Sequence, residues 1–350
     1  MILVGCDFHS RYQQIACVDA ETGDLIERRL EHENGEAFEF YRSLTAPARV
    51  GVEATRGLQW FARMLNQLGH ELIVGDAAKI RTMVVRRQKT DSRDASHLLE
   101  LLMNDRFPEV WAPSSSENDL RQLLWHRQKL VWIKVSVKNQ LHGLAMSQGV
   151  CRRSKLWNAE GRKQLANLTL DPWAGRRRDE LLRMLDQLEE SIEQLSAAVE
   201  EAGQDREDVR LLLTHPGVGR IVALAFSLMI GPVDRFPSSK HLVSYLGLNP
   251  REHSSGGRQK FGGISKQGNR LMRTLLVEAA QTAARVEPNL RRHYRHLRFR
   301  KASAVAKVAI ARKLAVRLYW MLRSKTEYAE LVRMQGSPGA NLVDLHPSIS

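Results

Sequence analysis

The residues best suited to chemistry in the first hundred positions are acids. Asp7 ends an apolar run that starts at Met1, Glu53 ends another that starts at Arg49, and Asp91 and Asp94 stand three apart in Lys-Thr-Asp-Ser-Arg-Asp-Ala. An i, i+3 pair projects from one helix face. Carboxylate oxygens are hard donors of the kind that hold Mg²⁺, an ion that keeps some waters and completes its shell with phosphate oxygens. Two such ions, roughly 3.5 to 4 Å apart, activate the attacking oxygen and stabilise the leaving one in phosphodiester displacement. Each acid alone has a blander reading: Asp7 as a turn cap, Asp91 and Asp94 as first-turn charges that complement a helix dipole. Their joint placement, at two strand ends and one helix start, is what points to a shared metal site.

A second group lies far downstream. Glu252-His253-Ser254-Ser255-Gly256-Gly257-Arg258 continues to Lys260, Lys266, Gly268, Asn269 and Arg270. Glycines let backbone amides approach a phosphate while Lys and Arg supply charge. A serine there could also attack phosphorus if a base or metal eases its deprotonation. Chemistry alone favours the phosphate-binding loop over the nucleophile. The turn His215-Pro216-Gly217-Val218-Gly219 resembles the hairpin of helix-hairpin-helix modules, which hold a phosphate through backbone amides, and reads equally well as an ordinary tight turn. From Arg285 to Lys325 thirteen residues are basic and only Glu287 is acidic, with Tyr294, Phe299 and Tyr319 interleaved. That pattern suits backbone binding to nucleic acid, with Arg298, Arg300 and Lys301 as candidate contacts.

The elements that must position the acids can be read from apolar spacing and turn residues. Strands are expected at residues 1–7, 13–18 and 25–30, then a helix at 35–44, a strand at 49–53, a helix at 58–68 and a strand at 71–74. Strands first, then strand-helix alternation, make a mixed sheet with helices on its faces, the order of the ribonuclease H-like fold. Strands one and four are neighbours in such a sheet, so Asp7 and Glu53 can converge with the helix that carries Asp91 and Asp94. A long helix is expected at 120–146 and another at 176–202. In the latter, Leu181, Leu185, Leu188, Ile192, Leu195 and Val199 follow the a/d spacing of a coiled coil. That stripe suits a partner helix from a second copy; an amphipathic helix packed on its own domain would also produce it. Apolar helices are expected at 221–230 and 271–285, and the tail after Gly336 reads as disordered.

The chain has 350 residues, enough for two or three domains, and a net charge of +14 that favours a polyanionic partner, nucleic acid first, although a solvated basic surface would carry the same charge. No apolar run of about 18 residues could span a bilayer, and the N-terminus reads directly as a strand without the features of a secretory signal, so a cytoplasmic location is expected. Cys6, Cys17 and Cys151 lie far apart, which supports neither a disulfide framework nor a zinc cluster; all three read as buried or inert.

Gly-Cys-Asp7, Gly-Val-Glu53-Ala-Thr and Lys-Thr-Asp91-Ser-Arg-Asp94-Ala together resemble the N-terminal DEDD, RuvC-like domain of the IS one-ten family of insertion-sequence transposases, which also includes the Piv DNA invertases. His-Pro-Gly-Val-Gly, Phe236, Tyr245-Leu-Gly-Leu-Asn-Pro-Arg-Glu, Ser-Ser255-Gly-Gly, Ile264-Ser-Lys-Gln-Gly-Asn-Arg and Leu271-Met-Arg-Thr-Leu-Leu are similar to its C-terminal transposase domain. The resemblance implies an α/β plus α architecture. A RuvC-like catalytic domain would occupy 1–147, a linker and coiled-coil arm 148–205, a mainly helical transposase domain 206–290, and basic helices with a tail 291–350. It implies a recombinase guided by a bridge RNA that pairs with donor and target DNA, assembled as a dimer or tetramer, with composite sites shared between subunits. It maps the four metal-binding acids onto Asp7, Glu53, Asp91 and Asp94, with Mg²⁺ as cofactor. The nucleophilic serine maps onto Ser255, with the adjacent Ser254 as the alternative. Without the resemblance, a RuvC-like structure-selective nuclease and a non-catalytic nucleic-acid scaffold would fit the same residues.

Overall fold

The computed structural model of the chain describes residues 1–55, 57–83, 90–151, 155–252 and 261–335. The chain divides into two compact units, Met1–Asn118 and Asp119–Ser350. The first holds strands β1 (Ile2–Phe8), β2 (Tyr12–Asp19) and β3 (Leu25–Glu31), helix α1 (Glu36–Arg42), strand β4 (Ala48–Glu53), helix α2 (Gln59–Gln67), strand β5 (Glu71–Gly75), and helices α3 (Ala77–Met83) and α4 (Asp91–Met103). The expected order holds, each boundary lying within two residues of its sequence expectation. The sheet runs β3-β2-β1-β4-β5, antiparallel across β3-β2-β1 and parallel across β1-β4-β5. This mixed sheet is ribonuclease H-like, and β1 and β4 lie side by side as expected.

Strand alternation divides the two faces cleanly. Ile2, Val4 and Cys6 join Ala48, Val50 and Val52 of β4 under α1 and α2, in a core with Tyr41, Phe61 and Leu65. Leu3, with Ala16 and Val18 of β2, packs on the other face against Ala95 and Leu99 of α4. Gly5 makes that second packing possible. A Cβ there would lie 2.2 Å from the Ala95 carbonyl oxygen and 2.3 Å from the Leu99 nitrogen, so the α4 backbone rests directly on β1. Asp7 is next on the same face.

The second unit is mainly helical. Its helices are α5 (Ser115–Ser147, the first turn of which begins in the first unit), α6 (Ala159–Ala166), α7 (Pro172–Ala202), α8 (Glu207–Leu213), α9 (Arg220–Ile230) and α10 (Ser239–Tyr245). A hairpin of β6 (Pro250–Glu252) and β7 (Phe261–Ile264) follows, then α11 (Arg270–Val286), α12 (Pro288–Arg300), α13 (Ser303–Ser324) and α14 (Tyr328–Gln335). One large core joins α8, α9, α10, α11 and α13. The leucine stripe of α7 is covered within the chain: Leu181 and Leu185 pack on Val137, Leu141 and Leu144 of α5, and Val199 enters the large core. The two helices run antiparallel, with Lys138 paired to Glu189 at 2.9 Å and Arg127 donating to Ser196 at 2.8 Å. The first half of the a/d stripe, Leu181, Leu185 and Leu188, is thus met by the chain's own α5.

Cys6 and Cys17 are buried, but Cys151 is exposed. The Pro-Gly turn at 215–219 packs inward. His215 is buried against Tyr328, and Gly217, at φ 91°, sits where a Cβ would meet the Ala283 nitrogen at 2.5 Å. The turn is a packing contact on α11. The tail after Gly336 lies outside the described residues.

Candidate functional site

The first unit brings acids together at the C-terminal ends of its central strands. Asp7 and Glu53 lie one step beyond Cys6 and Val52, the last residues paired between parallel β1 and β4, and both alternate onto the α4 face. Helix α4 begins at Asp91 because Thr90 caps it, its side chain accepting from the Arg93 nitrogen. Asp91 and Asp94 occupy its first turn, where the helix dipole favours negative charge. The start of α4 is also tied to the sheet edge: Ser92 and Ser96 donate to Glu27 of β3 at 2.7 and 2.8 Å.

Asp7 and Asp91 converge through a residue that the sequence reading passed over. His9 lies in the β1–β2 turn, closed by its backbone nitrogen donating to the Tyr12 carbonyl. Its Nε2 is 3.1 Å from Asp7 Oδ2 and 3.6 Å from Asp91 Oδ2. One ligand atom from each of Asp7, His9 and Asp91 falls within 4.8 Å of the others. Tyr12 donates its hydroxyl to the same Asp91 oxygen at 2.8 Å and stacks on the His9 ring at 4.6 Å, while the Arg29 guanidinium lies 3.7 Å from the Tyr12 ring centroid. The signal for His9 was its spacing: two residues after Asp7, a strand continuing past Phe8 would place both on one side.

Burial raises the Asp7 carboxyl above its ordinary value; His9 counters this, and the charges of Asp94 and Asp91 push it further up. A partly desolvated carboxylate facing two others is relieved by a cation, and oxygen-rich donors suit a hard divalent ion. The residues therefore fit a divalent metal. Glu53 is turned to another partner: Arg81 of α3 donates to its Oε1 at 3.0 Å. Two of the expected acids, Asp7 and Asp91, thus meet in one cluster, the charge of Asp94 reaches Asp7, and Glu53 stands at the neighbouring strand end under an arginine.

The expected nucleic-acid contacts are more scattered. Ser254, Ser255, Arg258 and Lys260 lie outside the described residues. The base of that hairpin is pinched tightly: a Cβ on Gly247 or Gly268, both at positive φ, would meet the Gln267 or Tyr245 carbonyl oxygen at 1.8 or 2.0 Å. Lys266 is exposed at the base of the same hairpin. Asn269 caps α11, its side-chain oxygen accepting from the Met272 nitrogen at 3.1 Å, and so has a structural task that spacing did not reveal. Arg270 is exposed and lies 4.5 Å from the Trp132 ring centroid. Lys266, Arg270 and Arg273 line one open groove of about 600 Å³ beside α11. Arg298, Arg300 and Lys301 are exposed at the end of α12 around Phe299, which is 93% exposed.

Comparison with known proteins agrees with both halves of this picture. Residues 4–147 match the model of the DEDD transposase domain of the IS110 type, and residues 209–295 match the model described as "Transposase IS116/IS110/IS902 family". The chain is 28% identical over 331 residues to a "Probable family 20 transposase" of Pseudomonas aeruginosa, covering 92% of this chain and 96% of that one. It is 26% identical over 341 residues to the transposase for insertion sequence element IS1328 of Yersinia enterocolitica, covering 92% and 97%. To the transposase for insertion sequence element IS1111A of Coxiella burnetii it is 27% identical over 290 residues, covering 81% and 78%. With a ribonuclease H-like sheet in the residues matched to the DEDD domain, and the second transposase domain following in the expected order, the chain belongs to the IS110/IS116/IS902 family of transposases, enzymes of DNA strand transfer.

Proposed function

We propose that this transposase is a bridge-RNA-guided recombinase that cuts and rejoins donor and target DNA through a phosphoserine intermediate. The observation that carries the metal half of this reading is the convergence of Asp7 and Asp91 at one end of the sheet, with Asp94 acting on the Asp7 carboxyl. Asp7, Glu53, Asp91 and Asp94 would hold Mg²⁺, with Glu53 released from Arg81. A bound divalent ion supplies Lewis-acid stabilisation of charge on phosphate oxygens. Ser255 is the nucleophile assigned by the family motif, with Ser254 its alternative. Its Oγ forms a bond to phosphorus as the bond to the departing sugar oxygen breaks; the serine proton is lost and the sugar oxygen takes one up. The bond energy is conserved for rejoining, so no nucleotide triphosphate is needed.

Arg258, Lys260, Lys266, Arg270, Arg298, Arg300 and Lys301 supply charge for the phosphates of DNA and guide RNA; Asn269 acts there by capping α11. Sequence choice rests with base pairing. The protein works at DNA in the cytoplasm as a dimer or tetramer. Its composite site joins the acids of one subunit to the serine of another, and the α5/α7 pair forms the arm. The deciding experiment is denaturing electrophoresis after incubation with labelled donor DNA and Mg²⁺. A covalent adduct is expected with the unaltered protein and is lost in Ser255→Ala. Free ends without an adduct would establish a water-using nuclease, and an adduct retained in Ser255→Ala but lost in Ser254→Ala would move the nucleophile. Sequencing the RNA that co-purifies with the protein tests the guide.

A further inference from the structure

We propose that His9 is a direct ligand of the divalent cation in the acidic site, binding through Nε2 beside Asp7 and Asp91 and biasing the site toward Mn²⁺ over Mg²⁺. The inference rests on the metal reading above and extends it to a residue outside the DEDD set. Octahedral donors at about 2.1 Å from an ion lie about 3 Å apart when cis and about 4.2 Å apart when trans. The Asp7–His9 separation of 3.1 Å matches a cis pair, and the His9–Asp91 separation of 3.6 Å lies between the two limits. The imidazole, hydrogen-bonded to Asp7, therefore already stands at cis spacing from that carboxylate, with the Asp91 oxygen close by.

The surroundings hold it there. The β1–β2 turn fixes the backbone of His9, and Tyr12 both stacks on its ring and donates to Asp91. A partner that orients a ligating side chain in this way is a regular part of metal sites. Arg29, in turn, covers the Tyr12 ring. An all-carboxylate site suits Mg²⁺, whereas an imidazole nitrogen adds a donor to which first-row transition ions bind more strongly.

The test uses the full-length protein, with Mn²⁺ and Mg²⁺ themselves as probes. Mn²⁺ binding is followed by electron paramagnetic resonance, and pulsed measurements detect coupling from a directly bound imidazole ¹⁴N. Circular dichroism confirms that variants are folded. The unaltered protein is expected to show the ¹⁴N coupling. His9→Ala and His9→Asn should lose it and bind Mn²⁺ about tenfold or more weakly, while Mg²⁺ affinity measured by competition changes much less. Bound Mn²⁺ that lacks ¹⁴N coupling, or coupling that persists in His9→Ala, overturns the assignment of His9 and leaves the carboxylate site standing. Mn²⁺ binding that survives in both Asp7→Asn and Asp91→Asn overturns the carboxylate site as well.

Discussion

Replacing Gly5 by Ala tests how the fold builds its acidic site. The added Cβ would lie 2.2 Å from the Ala95 carbonyl oxygen, 2.3 Å from the Leu99 nitrogen and 2.9 Å from the Leu99 Cα, all backbone atoms of α4. No rotamer change can relieve such contacts, so α4 must retreat from β1 by about 1 Å. Overpacking typically costs about 1–3 kcal/mol, and a clash with backbone belongs at the upper end. Gly51 provides the contrast, since a Cβ there meets Leu102 and Phe107 only through side-chain atoms, at 2.8 and 2.9 Å. Gly51→Ala should cost roughly 1 kcal/mol, because side chains can move. The same retreat carries Asp91 and Asp94 away from Asp7, and a displacement of about 1 Å can cost on the order of a hundredfold in a positioned reaction. Urea unfolding followed by circular dichroism gives the stability, and Mn²⁺ titration reads the site. Equal costs for the two alanines, or a destabilised Gly5→Ala that binds Mn²⁺ normally, would refute the claim that this glycine sets the distance between helix and strand.

Further predictions concern charge. Burial, followed by the charge of Arg317, lowers the His215 imidazole from 6.5 to about 4, so the folded state disfavours its protonation. Stability from this group is complete above about pH 6.5 and declines as pH falls toward about 4, with about 2 kcal/mol lost by pH 5. Urea midpoints at pH 7.5 and 5 should converge in His215→Phe relative to the unaltered protein, and an equal acid loss in both would exclude His215 as the source. Arg81→Ala removes a surface ion pair and should change stability by less than about 0.5 kcal/mol. It should also tighten Mn²⁺ binding by releasing Glu53; weaker binding would mean that Arg81 supports the site. Replacing Arg298, Arg300 and Lys301 together by Ala should lower the slope of log affinity against log salt on duplex DNA by up to about 2.7, at about 0.9 per phosphate contact. An unchanged slope would remove the end of α12 from the binding surface. Gly143→Ala, in an open stretch of α5, should stabilise the protein by about 0.5–1 kcal/mol, and destabilisation would show a hidden contact.

Apolar runs and turn residues were enough to order the sheet of the first unit. Short apolar runs, bounded by Thr22-Gly23-Asp24 and similar turns, marked β1 to β5, while α3 went unread. Strands one and four being neighbours then brought Asp7 and Glu53 to one sheet end. Asp91 and Asp94 were legible because an i, i+3 pair of acids at a helix start is a local signal, carried within a single turn of chain; the Thr90 cap came from the structure. The family was legible for a similar reason: its motifs are short and their order along the chain survives.

Tertiary structure decided what depends on side chains meeting across the fold. The a/d stripe of α7 records that the helix has an apolar face, and only packing could show that α5 covers its Leu181–Leu188 end. The same holds for the turn at 215–219, where the glycine needed for close approach meets Ala283 of α11, and for Asn269, whose oxygen caps a helix. At the acidic site, strand alternation placed the carboxylates on one face. The folded chain added His9 between Asp7 and Asp91, Tyr12 holding both His9 and Asp91, and Arg81 on Glu53. Periodicity specifies the face from which a side chain projects; which group it meets there is set by turns and helices that approach from elsewhere in the chain.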